Sequence, residues 1–581
     1  MKRVLYIQPV NQNESKFIAH LEGIDYFSFP EVGYAANEYA EFNIDFFISD
    51  KVIPTLIEKQ FDAIFIPVSL TANYLELTGL RLAYHIRLTA KLENKRYIPI
   101  IFVADETLFE LLRLSALSNI IATHGCYLAK PEIDFFNRIY KRLNEDKLPG
   151  INTSNFFEHF VKRVDVAAPA NYQTHHSISN EWSILRWSQV LGIQENETSL
   201  AIVKKNIESL LYYKYLQAKF PVSSIVDSAK FLIKGSGKLL YIDDEWEKGW
   251  STVLDFFVSL SPDLKNRFTT LENHFKELSK DEVIIECEKA VKTENPDVVI
   301  LDLRLSDQDF TYPHTEGDFS GIEVLKRIKA YNPGIRVIIF TASNKVWNLL
   351  ELQKAGANGF VLKESPDVSI NVDYAKENII ALKNQIEDAL EHKYLINLWS
   401  DIEEIKAHLK PLSTGGKRSI SKDFYDAIVS YLENIFGVLD ANNNSTKYES
   451  AFLFAFLILE ASASEFIDED KPIDKNDGDP HGDFVFQFRR TLDFLQVFDE
   501  GRSTRLNIEL RSKTRRINYN QKFLNLIYYF TGDINRTFHL VNKRNKYFHP
   551  DLIAHRTTEK IEKKDLLQLM KVVKDLLLAI N

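Results

Sequence analysis

Four apolar, strand-like runs between residues 237 and 365 each lead into a residue with reactive chemistry. The runs lie in GKLLYIDDEW (237–246), PDVVILDLRL (296–305), RVIIFTAS (336–343) and GANGFVLKES (356–365). Helical patterns such as GIEVLKRIKAY separate them, and this alternation is typical of a parallel, doubly wound sheet. Because functional groups gather at the carboxyl ends of such strands, the sequence predicts one site at that edge of the sheet.

Five polar side chains stand at the ends of these runs. They are Asp243 and Asp244 in the first run, Asp302 in the second, Thr341 in the third and Lys363 in the fourth. Three converging carboxylates make a hard-oxygen site for Mg²⁺, and one of them can attack a phosphoryl donor. A hydroxyl and an ammonium group would hold the new phosphate oxygens. A single acidic strand end is usually only solvated, but the ordered set predicts a phosphoryl-acceptor site.

With these motifs in place, residues 236–370 resemble the receiver domain of two-component response regulators, which has a flavodoxin-like fold. The resemblance implies Mg²⁺ as a cofactor and a sensor histidine kinase or a phosphotransfer protein as a partner. It assigns the phospho-acceptor Asp302, the metal ligands Asp243, Asp244, Asp302 and the backbone carbonyl of Arg304, and the switch residues Thr341, Phe360 and Lys363.

Two features of this segment depart from the family. Lys363 is followed by Glu364, where the family usually has proline, so the geometry of that loop is open. The loop after Asp302, SDQDFTYPHTEGDFSG, is longer than usual and carries extra acids. We expect it to shield an acyl phosphate or to contact a neighbouring domain.

Residues 1–145 repeat the strand pattern without its chemistry. RVLYIQPV, FDAIFIPVSL, YIPIIFVADE and CYLAKP correspond in order to the four runs above. The corresponding positions hold Gln8 and Pro9, Pro67, Ala104, and Lys130 followed by Pro131. Because a site without acids cannot bind Mg²⁺ in this way, we interpret this segment as a degenerate pseudo-receiver used for dimerisation or docking.

Two helical segments flank the intact receiver. Residues 146–235 have the pattern of a helical connector; two adjacent histidines in THHSISNEWSILRW (174–187) allow a metal or phosphohistidine site, but a packed helix is favoured. Residues 371–412 predict one long amphipathic helix, from about 372 to 409, that transmits a change in receiver pairing. An intramolecular core helix is the alternative.

The C-terminal region, 413–581, predicts a helical bundle in which FVFQFRRTLDFLQVF is one helix and DEDKPIDKNDGDPHGD (468–483) is a flexible acidic loop. Its charge is unusual, because residues 501–581 contain 17 Lys and Arg against seven Asp and Glu. Such a surface suits a phosphate backbone, although a solvated basic helix face is the alternative. The predicted RNA-binding residues are Arg511, Lys513, Arg515 and Arg516 of RSKTRR.

The stretch RNKYFHP (544–550) supplies an arginine and, before a proline, a histidine. An arginine can neutralise a phosphodiester and an imidazole can transfer protons, which together allow RNA cleavage without a metal or other cofactor. Arg544, Asn545 and His549 match the signature of the HEPN superfamily of helical domains. The resemblance implies a metal-independent endoribonuclease with a composite site at a homodimer interface.

The combined prediction has two flavodoxin-like doubly wound sheets, helical connectors and a C-terminal helical bundle. Its function is RNA cleavage controlled by phosphorylation, with a role as a toxin or in anti-phage defence. One alternative is a non-catalytic regulator that binds nucleic acid or a protein, and another is a phosphate sink with a degenerate effector. Two cysteines exclude a disulfide framework, and the longest apolar run, AFLFAFLIL, is too short to span a bilayer, so we expect a cytoplasmic protein without membrane contact.

Overall fold

The protein divides into two compact units, Met1–Leu325 with Val337–Leu390 and Lys326–Arg336 with Glu391–Asn581. The computed structural model describes residues 2–10, 22–32, 41–148, 151–169, 172, 177–193, 198–221, 228–310, 319–342, 352–366, 373–414, 420–441, 445–474, 484–488, 494–496, 523, 526, 527, 530, 531, 539–541, 543, 544 and 560–581.

The first unit begins with a five-stranded parallel sheet. Its strands are β1 Val4–Gln8, β2 Ile24–Ser28, β3 Ala63–Pro67, β4 Ile100–Val103 and β5 Cys126–Ala129. Their order, β2-β1-β3-β4-β5, is the flavodoxin-like order. The helices are α1 Glu41–Phe47, α2 Ile53–Glu58, α3 Thr78–Leu88, α4 Leu108–Leu114 and α5 Ile133–Asn144. The central strands are short apolar runs because helices cover both faces of the sheet.

The connector follows as α6 Phe156–Val161, α7 Ser177–Leu191, α8 Thr198–Ser209 and α9 Leu211–Lys219. The helical interpretation of 177–187 is therefore confirmed, whereas the two histidines just before it lie outside the described residues. One continuous apolar core includes side chains of the first sheet, the connector and the second sheet. In this core the Trp187 ring of α7 lies 5.3 Å from the Trp250 ring and 5.6 Å from the Phe340 ring.

A buried polar network joins α9 to the first sheet domain. Lys214 Nζ lies 3.0 Å from His85 Nδ1 and 2.9 Å from Thr89 Oγ1. His85 Nε2 lies 2.9 Å from Asp45 Oδ1, to which Arg81 also donates. Burial and the Lys214 ammonium group lower the pKa of His85 to about 4. The network therefore stabilises the connector on this domain with a neutral imidazole.

The second sheet repeats the topology of the first. Its strands are β6 Leu239–Ile242, β7 Phe268–Thr270, β8 Val298–Leu301, β9 Arg336–Thr341 and β10 Gly359–Leu362, all parallel in the order β10-β9-β8-β6-β7. The associated helices are α10 Trp250–Ser259, α11 Lys280–Glu294, α12 Ser320–Tyr331 and α13 Tyr374–Glu391. A capping box of Ser279 and Glu282 begins α11, and Asn295 ends it with a left-handed φ of 45°. The prediction of two doubly wound sheets is confirmed.

The loop after β8 is fixed at its first turn. The buried carboxylate of Asp309 accepts hydrogen bonds from the backbone N–H groups of Leu305, Ser306 and Ser320, and from the Ser320 hydroxyl at the start of α12. One of the predicted extra acids thus caps a helix and closes a turn. The rest of the loop, residues 311–318, lies outside the described residues, so its predicted shielding role stays a prediction.

The second unit contains α14 Tyr394–Thr414, α15 Lys422–Asp440, α16 Lys447–Phe466 and α17 Lys563–Leu578. Their apolar faces form one core. The second unit also contains a three-stranded antiparallel sheet in the order β11-β12-β13. Its strands are β11 Ile467–Asp474, β12 Phe484–Phe488 and β13 Phe494–Gln496. The prediction of a helix in FVFQFRRTLDFLQVF and of a loop throughout 468–483 is therefore wrong. The alternation FVFQF has the period of two that suits a strand.

The prediction of one continuous helix from 372 to 409 is also wrong, because a break at His392 and Lys393 separates α13 from α14. The Glu391 carbonyl accepts a hydrogen bond from Lys563 Nζ, and the His392 ring accepts one from Lys447 Nζ. Tertiary partners thus replace helical hydrogen bonds at the break. Leu398, Ile402, Ile405 and Leu409, whose spacing of three and four residues gives this segment its amphipathic pattern, are buried in the core of the second unit, which agrees with the alternative of an intramolecular core helix.

Candidate phosphoryl-acceptor site

The carboxyl edge of the second sheet brings the five predicted side chains together. Asp243 and Asp244 follow β6, Asp302 follows β8, Thr341 ends β9 and Lys363 follows β10. Each strand ends there because its apolar run gives way to a polar residue. Apart from the half-buried Asp244, these side chains are buried, so their mutual contacts determine their charges.

The acids form a compact cluster. Carboxylate oxygens of Asp243, Asp244 and Asp302 lie within 4.8 Å of one another, and this is the single group of at least three metal-ligating side chains in the part of the chain that the structure describes. Lys363 Nζ donates to Asp243 Oδ2 at 2.7 Å and lies 4.0 Å from Asp302 Oδ2. The hydroxyl of Tyr241 also donates to Asp243 Oδ2, at 2.5 Å. Lys363 thus pairs with two of the three carboxylates of the cluster.

This crowding changes the protonation of the acids. Burial and the neighbouring Asp243 and Asp302 raise the pKa of Asp244 to about 9. Burial raises the pKa of Asp302 to about 6, with Lys363 opposing the rise and Asp243 adding to it. Burial by itself would lower the pKa of Lys363, but the adjacent carboxylates raise it above its ordinary value. The cluster therefore stabilises any added positive charge.

A magnesium ion fits this donor set. The cluster offers carboxylate oxygens, which are the ligands that Mg²⁺ prefers. In addition, Asp302 Oδ1 is buried without a hydrogen-bond partner among the described residues, and such an atom has an open position for a ligand. The backbone carbonyl of Arg304 stays a prediction as a fourth ligand. The guanidinium group of Arg304 lies 5.1 Å from the centre of the Phe319 ring.

Two of the three predicted switch residues, Thr341 and Phe360, lie on the neighbouring strands β9 and β10. Thr341 is almost fully buried, and its hydroxyl forms a hydrogen bond with Asp302 that partly offsets the rise in the pKa of that acid. Phe360 is partly buried on β10, opposite Ile339 of β9. Thr341 therefore contacts the acceptor directly, whereas Phe360 lies within the strand that leads to Lys363.

The corresponding edge of the first sheet keeps the backbone and lacks the acids. Gln8 Oε1 accepts a hydrogen bond from the Ser28 hydroxyl at 2.9 Å, and the exposed Lys130 is followed by Pro131. Pro67 ends β3, and α3 begins so close to it that a Cβ atom on Gly79 would lie 1.8 Å from its carbonyl oxygen. The predicted loss of phosphoryl chemistry agrees with this arrangement, because no carboxylate ends these strands.

Comparison with protein families gives two matches in the same order along the chain. Residues 24–129 match the Inactive Receiver domain, and residues 268–371 match the Response regulator receiver domain. The chain contains an inactive receiver followed by a response-regulator receiver. Both matches begin after the first strand of their sheet. The structure shows that β1 and β6 nevertheless belong to the two sheets, because they pair in parallel with β3 and β8.

The curated relatives of the receiver are regulatory proteins. The regulatory protein LuxO of Vibrio vulnificus strain YJ016 is 28% identical over 107 residues, which are 18% of this chain and 21% of that protein. The transcriptional regulatory protein ZraR of Klebsiella oxytoca is 37% identical over 67 residues, which are 12% of this chain and 13% of that protein. The chain thus covers about a fifth or less of the length of these relatives.

Among solved structures, a two-component response regulator of the LuxR family from Aurantimonas sp. SI85-9A1 has 20% sequence identity to the chain. The likeness covers 28% of this chain and 99% of that one, with a TM-score of 0.17. At that score the likeness adds nothing to the fold assignment, which rests on the strand order of the two receivers. None of the helices within the described residues is long and apolar enough to cross a membrane.

The predicted nuclease residues lie mostly outside the described residues, and Arg544 alone can be placed. Arg544 Nη2 lies 3.3 Å from Glu460 Oε1 of α16, and its guanidinium group lies 5.8 Å from the centre of the Phe456 ring. Its side chain is 19% exposed. The predicted residues outside the described part are Asn545, His549, Arg511, Lys513, Arg515 and Arg516.

Sequence reasoning missed the side chains that surround the site from the connector. Asn180, Ser183 and Arg186 of α7 contact the residues that directly follow the reactive ones on β6 and β10. Glu364 was the available signal, because a buried acid beside the reactive lysine requires a partner. The sequence does not show which distant helix supplies that partner.

Proposed function

We propose that the receiver accepts a phosphoryl group on Asp302 and that this modification controls the C-terminal region. The observation that carries the proposal is the cluster at the carboxyl edge of the sheet, in which carboxylate oxygens of Asp243, Asp244 and Asp302 lie within 4.8 Å of one another and Lys363 Nζ lies beside two of these acids. A structural ion pair requires one carboxylate for one ammonium. The additional acids favour a site for Mg²⁺ and for an incoming phosphoryl group.

In the proposed reaction, an oxygen of Asp302 attacks the phosphorus of an acyl phosphate or a phosphohistidine. The bond between phosphorus and the donor's leaving group breaks, and that group departs with the bonding electrons. Asp243, Asp244 and Asp302 would hold Mg²⁺, which would supply positive charge to offset the carboxylates and to bind a phosphoryl oxygen. Lys363 pairs with a second phosphoryl oxygen, and the Thr341 hydroxyl donates to a third.

Intact-protein mass spectrometry tests the acceptor directly. The full chain is incubated with acetyl phosphate and Mg²⁺, and we expect one added phosphoryl group. Asp302→Asn should remove the uptake, because an amide is not a nucleophile at neutral pH. If the variant takes up as much as the natural chain, the acceptor is another residue and the proposal fails. A histidine kinase or a phosphotransfer protein is the proposed physiological donor, and the proposed active species is a homodimer.

A second proposal concerns the output, which is RNA cleavage without a metal by Arg544, Asn545 and His549, in a toxin or an anti-phage role. The excess of basic residues in 501–581 supports it, since RNA cleavage needs a surface that binds phosphates. The position of Arg544 also supports it. Its side chain pairs with Glu460 and is 19% exposed, so an arginine of the predicted cluster reaches the surface, and a guanidinium group can contact a phosphodiester.

Cleavage of RNA in EDTA, after phosphorylation with Mg²⁺, tests the second proposal. The natural chain is compared with His549→Ala and with His539→Ala, because His539 is an exposed histidine in the same segment and serves as a matched control. Cyclic-phosphate ends that disappear only with His549→Ala would support cleavage. RNA binding without cleavage would favour a non-catalytic regulator. Phosphorylation without any change in assembly or activity would favour a phosphate sink.

A further inference from the structure

Helix α7 of the connector contacts the receiver at the two loops that carry reactive side chains. Glu245 directly follows the acid Asp244, and Glu364 directly follows Lys363. Both glutamates are buried, with 7% and 0% of their surface exposed. A buried carboxylate is unfavourable without partners, and α7 supplies partners to both.

The contact with the lysine loop has two parts. The Ser183 hydroxyl donates to the backbone carbonyl of Glu364, and Arg186 Nε lies 3.6 Å from the Glu364 carboxylate. Arg186 is itself held by a hydrogen bond from Nη1 to the carbonyl of Phe220 at 2.7 Å. The Lys363 backbone N–H donates to the Thr341 carbonyl on the other side. The segment that carries Lys363 is therefore held between β9 and α7.

The contact with the acid loop uses Asn180. Its amide donates to the Glu245 carboxylate and accepts a hydrogen bond from Trp250 Nε1 at 3.3 Å. The Glu245 backbone N–H in turn donates to Asp243 Oδ1 at 2.7 Å. Asn180 thus acts on the metal-ligating acids through one intervening residue.

The chemistry of these contacts exceeds what packing requires. Asn180, Ser183 and Arg186 follow one another at intervals of three residues and are all at least 96% buried. Apolar side chains would pack α7 against the receiver without the desolvation of an arginine and an amide. The inactive receiver offers an internal contrast, because its Lys130 is exposed and is followed by Pro131 instead of a buried glutamate.

We propose that Arg186 and Ser183 position Lys363, and that Asn180 positions the metal-ligating acids, so that α7 is part of the phosphoryl-acceptor site. This inference rests on the proposed phosphorylation of Asp302. Lys363 has to move from Asp243 towards the phosphoryl group on Asp302, and its loop determines where it can reach. A displacement of about 1 Å in a reacting group can reduce a rate by about 100-fold.

Loss of the Arg186 contact and loss of the Asn180 contact should change different kinetic parameters. A general loss of stability would not separate the two parameters in this way. Arg186→Met leaves the Glu364 carboxylate buried without its cation, so we expect the maximal rate of phosphoryl uptake to fall about tenfold or more. The Mg²⁺ concentration at half-maximal rate should stay within twofold of the natural value. Asn180→Ala should raise that Mg²⁺ concentration about tenfold, as expected for a residue that supports metal ligands.

Phosphoryl uptake from acetyl phosphate is measured by intact mass on the full chain at several Mg²⁺ concentrations. Gln189→Ala, at an exposed position of α7, is the matched control and should leave both parameters within twofold. Adding Glu364→Gln to Arg186→Met should recover much of the rate, because the unpaired charge is removed. The inference fails if Arg186→Met and Asn180→Ala both keep the maximal rate and the half-maximal Mg²⁺ concentration of the natural chain. It also fails if each variant changes the two parameters in proportion.

Two further measurements keep the outcome decisive. If Arg186→Met does not fold, Ser183→Ala removes the hydrogen bond to the Glu364 carbonyl without exposing a charge, and its maximal rate should fall in the same direction. If the natural chain takes up no phosphoryl group, the proposed function fails by itself. Mg²⁺ binding followed by tryptophan fluorescence then still tests Asn180, whose substitution should weaken binding if α7 supports the acids.

Discussion

The inactive receiver and the receiver begin the helix after their third strand in the same way. Gly79 in α3 and Gly321 in α12 each face a carbonyl oxygen, that of Pro67 in the first domain and that of Asp302 in the second. A Cβ atom would lie 1.8 Å from the first oxygen and 2.3 Å from the second, so only glycine fits at either position. The two domains therefore share the backbone geometry at Pro67 and Asp302 but differ in the side chain at that position.

The connector also contacts the two domains differently. It holds the inactive receiver through α9, where Lys214 bonds to His85 and Thr89 of the α3 region. It contacts the receiver through α7 at the loops beside the reactive residues. The comparison teaches that strand burial and a few glycines maintain this fold, whereas reactivity depends on a small set of acids and on what surrounds them.

The largest effect is expected when the aspartate is removed from the receiver and placed at the corresponding position of the inactive receiver. Asp302→Asn should reduce phosphoryl uptake to background, and Pro67→Asp should give the inactive receiver no uptake, because Gln8 and Pro9 supply no metal ligand. Intact mass of the double variant after treatment with acetyl phosphate and Mg²⁺ checks both statements. Uptake by the double variant would show that the acceptor residue alone determines reactivity.

The two lysines should differ greatly in their effect on stability. Lys363→Met removes the ammonium group that pairs with the buried Asp243 and should destabilise the first unit by about 3–5 kcal/mol in EDTA. Lys130→Met, at an exposed position, should change stability by less than about 0.5 kcal/mol. Urea unfolding followed by tryptophan fluorescence measures both. Equal effects would mean that the cluster does not depend on Lys363.

Lowering the pH should destabilise the inactive receiver through protonation of His85. Its folded pKa of about 4 lies below the unfolded value of 6.5, so its contribution is fully present above pH 6.5 and is lost as the pH falls towards 4. The difference corresponds to about 3 kcal/mol. The charged groups around it are Asp45, Arg81 and Lys214. Urea unfolding at several pH values should show this slope in the natural chain and a smaller one in His85→Gln; an unchanged slope would assign the dependence to other groups.

Magnesium should stabilise the receiver and not the inactive receiver. The expected change in stability is smaller than those in the predictions above. At about 100 times its dissociation constant, Mg²⁺ should add about 2.7 kcal/mol of stability. The pKa of Asp244 is raised to about 9 in the folded state. At neutral pH the unfolded chain therefore ionises this acid while the folded chain does not, and this difference destabilises the folded state. Asp244→Asn should therefore stabilise the protein in EDTA and reduce the gain from Mg²⁺. Thermal melting with and without Mg²⁺ measures both changes, and a full gain in the variant would place the ion elsewhere.

Much of this molecule follows from local sequence pattern. Eight of the ten strands in the two sheets are short apolar runs bounded by polar residues, and the acids, hydroxyl and lysine of the receiver stand directly after or at the ends of four of them. Since parallel strands bring their carboxyl ends to one edge, the order of the runs was enough to predict the cluster of Asp243, Asp244 and Asp302. The same reasoning predicted the loss of chemistry at Pro67.

The errors arose where distant residues compete with local pattern. The periodicity of 372–409 predicts one helix, but Lys563 and Lys447, far along the chain, bond to Glu391 and His392 and end α13 there. The run FVFQF was assigned to a helix although its period favours a strand, and its pairing with β11 and β13 depends on partners outside the run.

The sequence by itself predicted two doubly wound sheets, the set of polar residues at the receiver edge and the absence of that set in the inactive receiver, because these patterns depend on residues a few positions apart. Only the tertiary structure decided that Arg186, Ser183 and Asn180 lie against that edge. The physical reason is that the desolvation of Glu364 requires a partner but does not specify one. Which helix supplies it depends on how the connector packs in three dimensions.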